Sequence, residues 1–209
     1  MPNGKTVIRT NATPNSIKEV QLRALTFREL WNAYPVGNPY DDPAYTDQCA
    51  IRMSVTFHRV GIKMKSFSEK RVKPLSGQKT IGRVMLDGNA TATRADELGE
   101  WLNFQPFAGL PSAEDITGRD WESKIRGRTG IVRFSRYWTR SGETAANASG
   151  GHIDLWNGSR LTISSAPDAL ATIGRRIGLS SFRQGAGFAS SLSYSDLSQS
   201  KSILFWEVK

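Results

Sequence analysis

The sequence predicts an α+β fold, with helices in the first half packed on an antiparallel sheet formed by the second. Three observations carry this. Helix caps and apolar residues at helical spacing recur between residues 26 and 126. Short β-rich runs begin at Gly130. A tight-turn dipeptide, Asn157-Gly158, separates two of those runs. Helices followed by strands, rather than alternating with them, point to α+β and not to a parallel α/β sheet.

Residues 1–21 are polar and rich in Asn, Thr and Pro, and read as a flexible N-terminal extension. Residues 22–209 then form a single domain, the size expected of one core. Thr26-Phe27-Arg28-Glu29 is a capping box, with Leu25 and Leu30 placed as a hydrophobic staple. Phe27, Leu30, Trp31 and Tyr34 follow at helical spacing until Pro35, so the first helix spans 27–34. A Gly, Asn, Pro and Asp-rich loop covers 36–45.

The segment 48–60 has two periods. Ile51, Met53, Val55 and Phe57 alternate like a strand, while Ala50, Met53, Phe57 and Val60 share one helical face. Thr46 or Asp47 as N-cap and Gly61 as C-cap decide for the helix. Thr93 caps a third helix through Leu98, Trp101 and Leu102, and a short one runs over 120–126 to Gly127. Strands are expected over 130–134, 152–156, 160–164 and 203–208.

Composition narrows the function. The net charge of +9 suits an anionic partner, among them nucleic acid, a membrane surface or the bacterial cell wall. No nucleic-acid-binding motif is present, so no nucleic-acid partner is expected. No apolar run reaches membrane-spanning length, so no membrane insertion is expected. Met1-Pro2-Asn3-Gly4-Lys5 leads into polar sequence, which predicts a protein made in the cytoplasm without a signal peptide. With a single cysteine, no internal disulfide can form.

That cysteine, Cys49, falls in the first turn of its helix, where free amides and the helix dipole favour a thiolate. By itself a lone cysteine is more often an inert core residue. His152 alters the balance. On the strand 152–156, Ile153 and Leu155 face the core, and His152, Asp154 and Trp156 face the other way. An imidazole, a carboxylate and an indole on one face supply a base, a group to orient it, and a substrate wall. The same face could equally be the polar side of a half-buried strand. Trp138 is a second candidate for the substrate wall, and Asp168 is the alternative orienting carboxylate. The Cys49 backbone amide is a candidate oxyanion donor, with Tyr45 or Gln48 as the second. Arg52 and Arg59 read as the solvated face of their helix, and His58, about 13 Å along the axis from Cys49, as a surface or packing residue. No histidine has metal-ligand spacing with the cysteine, so neither metal nor cofactor is expected.

Asp47-Gln48-Cys49-Ala50-Ile51-Arg52-Met53-Ser54 and Gly151-His152-Ile153-Asp154-Leu155-Trp156-Asn157-Gly158 together resemble the type VI secretion amidase effectors of family 4. Phe27-Arg28-Glu29-Leu30-Trp31, Gly127-Arg128-Thr129-Gly130-Ile131-Val132 and the closing Phe205-Trp206 fit the same pattern. The resemblance implies a papain-like NlpC/P60 fold and a cysteine amidase that cuts peptidoglycan stem peptides at the γ-D-glutamyl–meso-diaminopimelate bond. It implies export by type VI secretion components into a target cell's periplasm, and a periplasmic immunity protein of the Tai4 kind as partner. It makes Cys49 the nucleophile and His152 the base. It also leads one to expect a carboxylate on the strand after the histidine strand, and Arg160-Leu161-Thr162-Ile163-Ser164-Ser165 has none. Two rival readings share these residues. One is a papain-like hydrolase or acyltransferase with another substrate; the other is a non-catalytic basic wall-binding module, in which Cys49 would be unreactive.

Overall fold

A computed structural model describes residues 5–9, 17–21, 23–138, 150–162 and 197–209. Among these residues the order is β1 (Lys5–Arg9), β2 (Ile17–Gln21), α1 (Phe27–Ala33), α2 (Cys49–Arg59), β3 (Arg83–Leu86), β4 (Asn89–Ala92) and α3 (Ala95–Asn103). There follow β5 (Glu114–Asp115), α4 (Trp121–Ile125), β6 (Gly130–Trp138), β7 (Gly150–Trp156), a 3-10 turn (Leu197–Gln199) and β8 (Ser202–Glu207).

The α+β order expected from the sequence is present. The capping box forms: the Glu29 amide donates to the Thr26 hydroxyl, and the Thr26 amide to the Glu29 carboxylate at 2.9 Å. Tyr34 ends α1 in extended backbone because the residue before a proline is driven out of the helical region. The ambiguous segment resolves as helix α2, ended by Gly61 at φ 92°. Its N-cap, however, is Gln48 and not Thr46 or Asp47. Likewise Arg94 and not Thr93 is the N-cap of α3. Neither cap residue makes a side-chain cap bond; both helices begin where a face can be buried, and packing outweighs cap chemistry.

Two hairpins lie outside the expected set. β1 and β2 pair antiparallel within the N-terminal stretch read as an extension. β3 and β4 pair antiparallel across Asp87-Gly88, both at positive φ (49° and 73°). Asp-Gly is the type I′ hairpin signal, so this turn was readable in the sequence.

The main sheet has the order β5-β8-β6-β7, all antiparallel. Among the described residues β7 lies at the edge of the sheet, flanked on its open side by a single bridge from Trp156 to Leu161. The returning strand expected over 160–164 is thus reduced to that bridge among the described residues. The sheet separates two cores. Ile131, Ile153, Leu155, Trp206 and Val208 face α2 and α3, packing on Met53, Phe57, Leu98, Trp101 and Leu102. Val132, Phe134, Trp156, Ile203 and Phe205 face α4 with Trp121 and Ile125. Period two in the strands and 3.6 in the helices place these residues on their faces.

Buried polar groups tie the helices to the sheet. The Ser54 hydroxyl donates to the Ala50 carbonyl at 2.8 Å and accepts the Ala92 amide at 3.1 Å, joining α2 to β4. Glu97 is fully buried and accepts the Leu75 and Gly82 amides and the Arg94 guanidinium, so its charge is fully partnered.

Candidate active site

Cys49 is the first residue of α2, and its side chain is 8% exposed at the junction of α2 with β7. The preceding loop is locked by Gln48. Its amide donates to the Tyr40 carbonyl at 2.6 Å and the Tyr45 carbonyl at 2.9 Å, and its oxygen accepts the Tyr40 amide at 3.1 Å. Both Gln48 protons are therefore engaged, and the expected role of Gln48 as an oxyanion donor gives way to that of a loop anchor. The Tyr45 ring packs on Tyr40 at 5.2 Å between centroids.

His152 and Asp154 project from β7, two residues apart on one face as expected. Beside them β6 is irregular: four residue steps from Phe134 to Trp138 face two from His152 to Gly150, and Arg136 takes φ 55°. Such a bulge bends the strand next to the imidazole. The His152 ring lies 6.3 Å from the Phe134 ring.

The thiol, imidazole and carboxylate converge. His152 Nε2 lies 3.4 Å from Asp154 Oδ2, and a second hydrogen bond joins the His152 ring to Cys49. With Nε2 turned to Asp154, Nδ1 is the nitrogen left for the sulfur. The Ile153 backbone amide, on the edge strand, also hydrogen-bonds the sulfur. Burial pushes the Cys49 thiol up, but the His152 hydrogen bond and charge, the Ile153 amide and the Arg52 charge together hold it below the ordinary thiol value. Burial pushes His152 down, yet the bonds and charges of Asp154 and Cys49 raise it to about 9. A lowered thiol beside a raised imidazole describes a thiolate–imidazolium pair.

Asp154 is buried. Oδ1 accepts the Leu155 amide at 2.8 Å and the Thr162 hydroxyl. Three residues not singled out as site candidates close the cluster: Thr162, Tyr34 and Arg52. The Tyr34 hydroxyl hydrogen-bonds both Thr162 and Arg52, and burial together with the Asp154 charge holds its phenol far above the usual range. Arg52 is thus corrected from the solvated face: it is half-buried, one helical turn from Cys49, with Nη1 donating to Asn38 Oδ1 at 3.1 Å. The i, i+3 spacing from Cys49 was the available signal. Arg59 is exposed as expected.

Trp156 is corrected too. It is 3% exposed, meets Trp121 edge-on at 5.6 Å, and donates from Nε1 to the Ile125 carbonyl at 3.0 Å. It belongs to the second core and is no substrate wall, because α4 covers the part of that face expected to be open. Trp138 ends β6 opposite Gly150, and the surroundings of its side chain lie outside the described residues, as does Asp168. His58 Nε2 donates to the Ala90 carbonyl oxygen at 3.0 Å, tying α2 to β4 away from Cys49. Among the described residues no cluster of His, Cys, Asp or Glu could hold a metal ion, and no helix is long and apolar enough to cross a membrane.

No curated protein matches the chain in sequence. Solved structures do. The crystal structure of the type VI effector Tae4 from Enterobacter cloacae superposes with a TM-score of 0.52 at 15% identity, covering 91% of this chain and all of that one. The effector–immunity complex Tae4-Tai4 from the same organism gives 0.48 at 17% identity, covering 90% of this chain and 100% of that one. The Tae4-Tai4 complex from Salmonella Typhimurium gives 0.43 at 18% identity, over 66% of this chain and 86% of that one. At these identities the first comparison speaks for the fold, and the papain-like NlpC/P60 class expected from the sequence stands. The family model for Tae4, type VI secretion system amidase effector protein 4, matches residues 45–206, a span that contains Cys49, His152 and Asp154. With most of its length matched, this chain belongs to the Tae4 family of type VI secretion amidase effectors.

Proposed function

We propose that this chain is a cysteine amidase that cleaves the γ-D-glutamyl–meso-diaminopimelate bond of peptidoglycan stem peptides. The observation that carries the reading is the convergence of a lowered thiol, a raised imidazole and a buried carboxylate at the start of α2. Family membership supplies the amidase class. The net charge of +9 favours approach to an anionic wall.

The Cys49 thiolate attacks the γ-carbonyl carbon, forming a C–S bond and an oxyanion. The Cys49 amide at the free end of α2 stabilises that oxyanion, with the Tyr45 hydroxyl as candidate second donor. His152, as imidazolium, gives its Nδ1 proton to the departing amine of diaminopimelate as the C–N bond breaks. Neutral His152 then takes a proton from water, whose oxygen attacks the thioester. The carboxylic acid leaves and the thiolate–imidazolium pair is restored. Asp154 keeps the ring in the tautomer that presents Nδ1 and balances the imidazolium charge.

Family membership supports delivery by the type VI apparatus into a target cell, with the periplasm, where the wall lies, as the proposed destination and a Tai4-like immunity protein as the proposed partner at the site. The reading is tested by digesting purified peptidoglycan with wild type and Cys49→Ala and weighing the muropeptides. Stems truncated after D-glutamate, from wild type only, are the expected result. Cleavage at another bond would favour a papain-like hydrolase of different specificity, and an unreactive Cys49 would favour a wall-binding module.

A further inference from the structure

Asp154 has to be turned toward His152. Side chains two apart on a strand leave the backbone side by side, about 6–7 Å apart, so the carboxylate must lean along the strand to meet the ring. What leans it comes from outside β7. Thr162, buried, lies on the segment that returns beside β7 through the Trp156–Leu161 bridge, with its amide donating to the Leu155 carbonyl at 3.2 Å. Its hydroxyl donates to Asp154 Oδ1.

The direction of the hydrogen bonds behind Thr162 is determined by proton count. Thr162 has one hydroxyl proton, and Asp154 takes it, so the Thr162 oxygen accepts from Tyr34. Tyr34 then has no proton left and accepts from Arg52, which can only donate. Arg52 is itself fixed to Asn38 at 3.1 Å. The bonds from Arg52 through Tyr34 and Thr162 therefore run one way and end on Asp154, each polarising the next; His152 in turn donates to Asp154 from one ring nitrogen and to the Cys49 sulfur from the other.

We propose that Thr162, backed by Tyr34 and Arg52, is the positioning residue of this site: it holds the Asp154 carboxylate against His152 Nε2, so that Nδ1 faces Cys49. This rests on the reading that Cys49 and His152 are the working pair. Among the described residues the charged and titratable groups around that pair are few. α1 contributes Tyr34, and α2 contributes Arg52. From α3, Asp96 lies near Gly151, occupied by the Ser135 hydroxyl at 2.6 Å and by Arg133 at 3.8 Å. Arg160, on the returning segment, is turned away over the Trp31 ring at 5.1 Å.

The test uses the full chain with Thr162→Val, Thr162→Ser and Tyr34→Phe. The rate of Cys49 alkylation by iodoacetamide is followed against pH, together with kcat and KM on peptidoglycan. In Thr162→Val the carboxylate is released, His152 loses support, and the alkylation midpoint moves up by about one pH unit. kcat falls roughly tenfold or more with KM unchanged. Thr162→Ser restores both, and Tyr34→Phe moves the midpoint the same way by less. A Thr162→Val midpoint and kcat equal to wild type overturn the inference, as does a Thr162→Ser variant as impaired as valine, which would mark a packing role. Wild-type alkylation with no acid-shifted midpoint would instead overturn the thiolate reading itself.

Discussion

His152 Nε2 and Asp154 Oδ2 meet at 3.4 Å although the two residues share one strand face, two positions apart. The carboxylate that meets the imidazole thus comes from the histidine's own strand, and the following segment brings a hydroxyl, Thr162, to it. The predictions below follow from that arrangement and from the two cores around it.

Cys49→Ala should abolish peptidoglycan cleavage, a loss of about a thousandfold or more, because among the described residues no other nucleophile is hydrogen-bonded to the His152 ring. Circular dichroism and a melt should show the fold retained, since a small cavity at the end of α2 costs about 1 kcal/mol. Wild-type activity in this variant would remove Cys49 from the chemistry.

Asp154→Asn should lower kcat by about two to four orders of magnitude, because an amide neither balances an imidazolium nor selects the same tautomer. The same variant should lose acid-shifted alkylation. Unchanged kinetics would make the 3.4 Å contact incidental.

Alkylation of wild-type Cys49 should proceed at about pH 6, below the range of a free thiol. Activity should decline as pH rises through about 9, where His152 loses its proton. The sign for stability is the same. A pKa raised from 6.5 to about 9 stabilises the fold fully below the lower value and loses that contribution through the upper one. The melting-temperature gap between wild type and His152→Gln should therefore narrow on going alkaline; a gap constant with pH would contradict the raised value.

Trp156→Phe should leave KM for peptidoglycan unchanged while costing about 1–2 kcal/mol, from the lost bond to the Ile125 carbonyl and a smaller ring in the second core. A raised KM with an unshifted melt would restore Trp156 to the substrate wall.

Gly130→Ala should cost about 3 kcal/mol or more in urea unfolding, because a Cβ there would collide with the Trp206 carbonyl oxygen and the Phe205 ring where β6 meets β8. A variant as stable as wild type would mean the strands can part without penalty.

Much of this was legible in the chain. The capping box at Thr26 and Glu29, the apolar face of α2 with its Gly61 stop, and the alternation of Ile153 and Leu155 against His152 and Asp154 are local patterns that dictate local structure. They set α1, α2 and β7, placed Cys49 on a helix start, and put the imidazole and carboxylate on one strand face. Other features depend on what packs where, which no local pattern encodes. α4 covers the sheet face and takes Trp156 into a core, and the loop before α2 uses up the Gln48 amide. The ends of α1 and of the returning segment bring Tyr34 and Thr162, 128 positions apart in sequence, to one carboxylate. Only the tertiary structure decides this, because a side chain's partner is set by the elements that burial forces together, and its protonation by the charges it meets there.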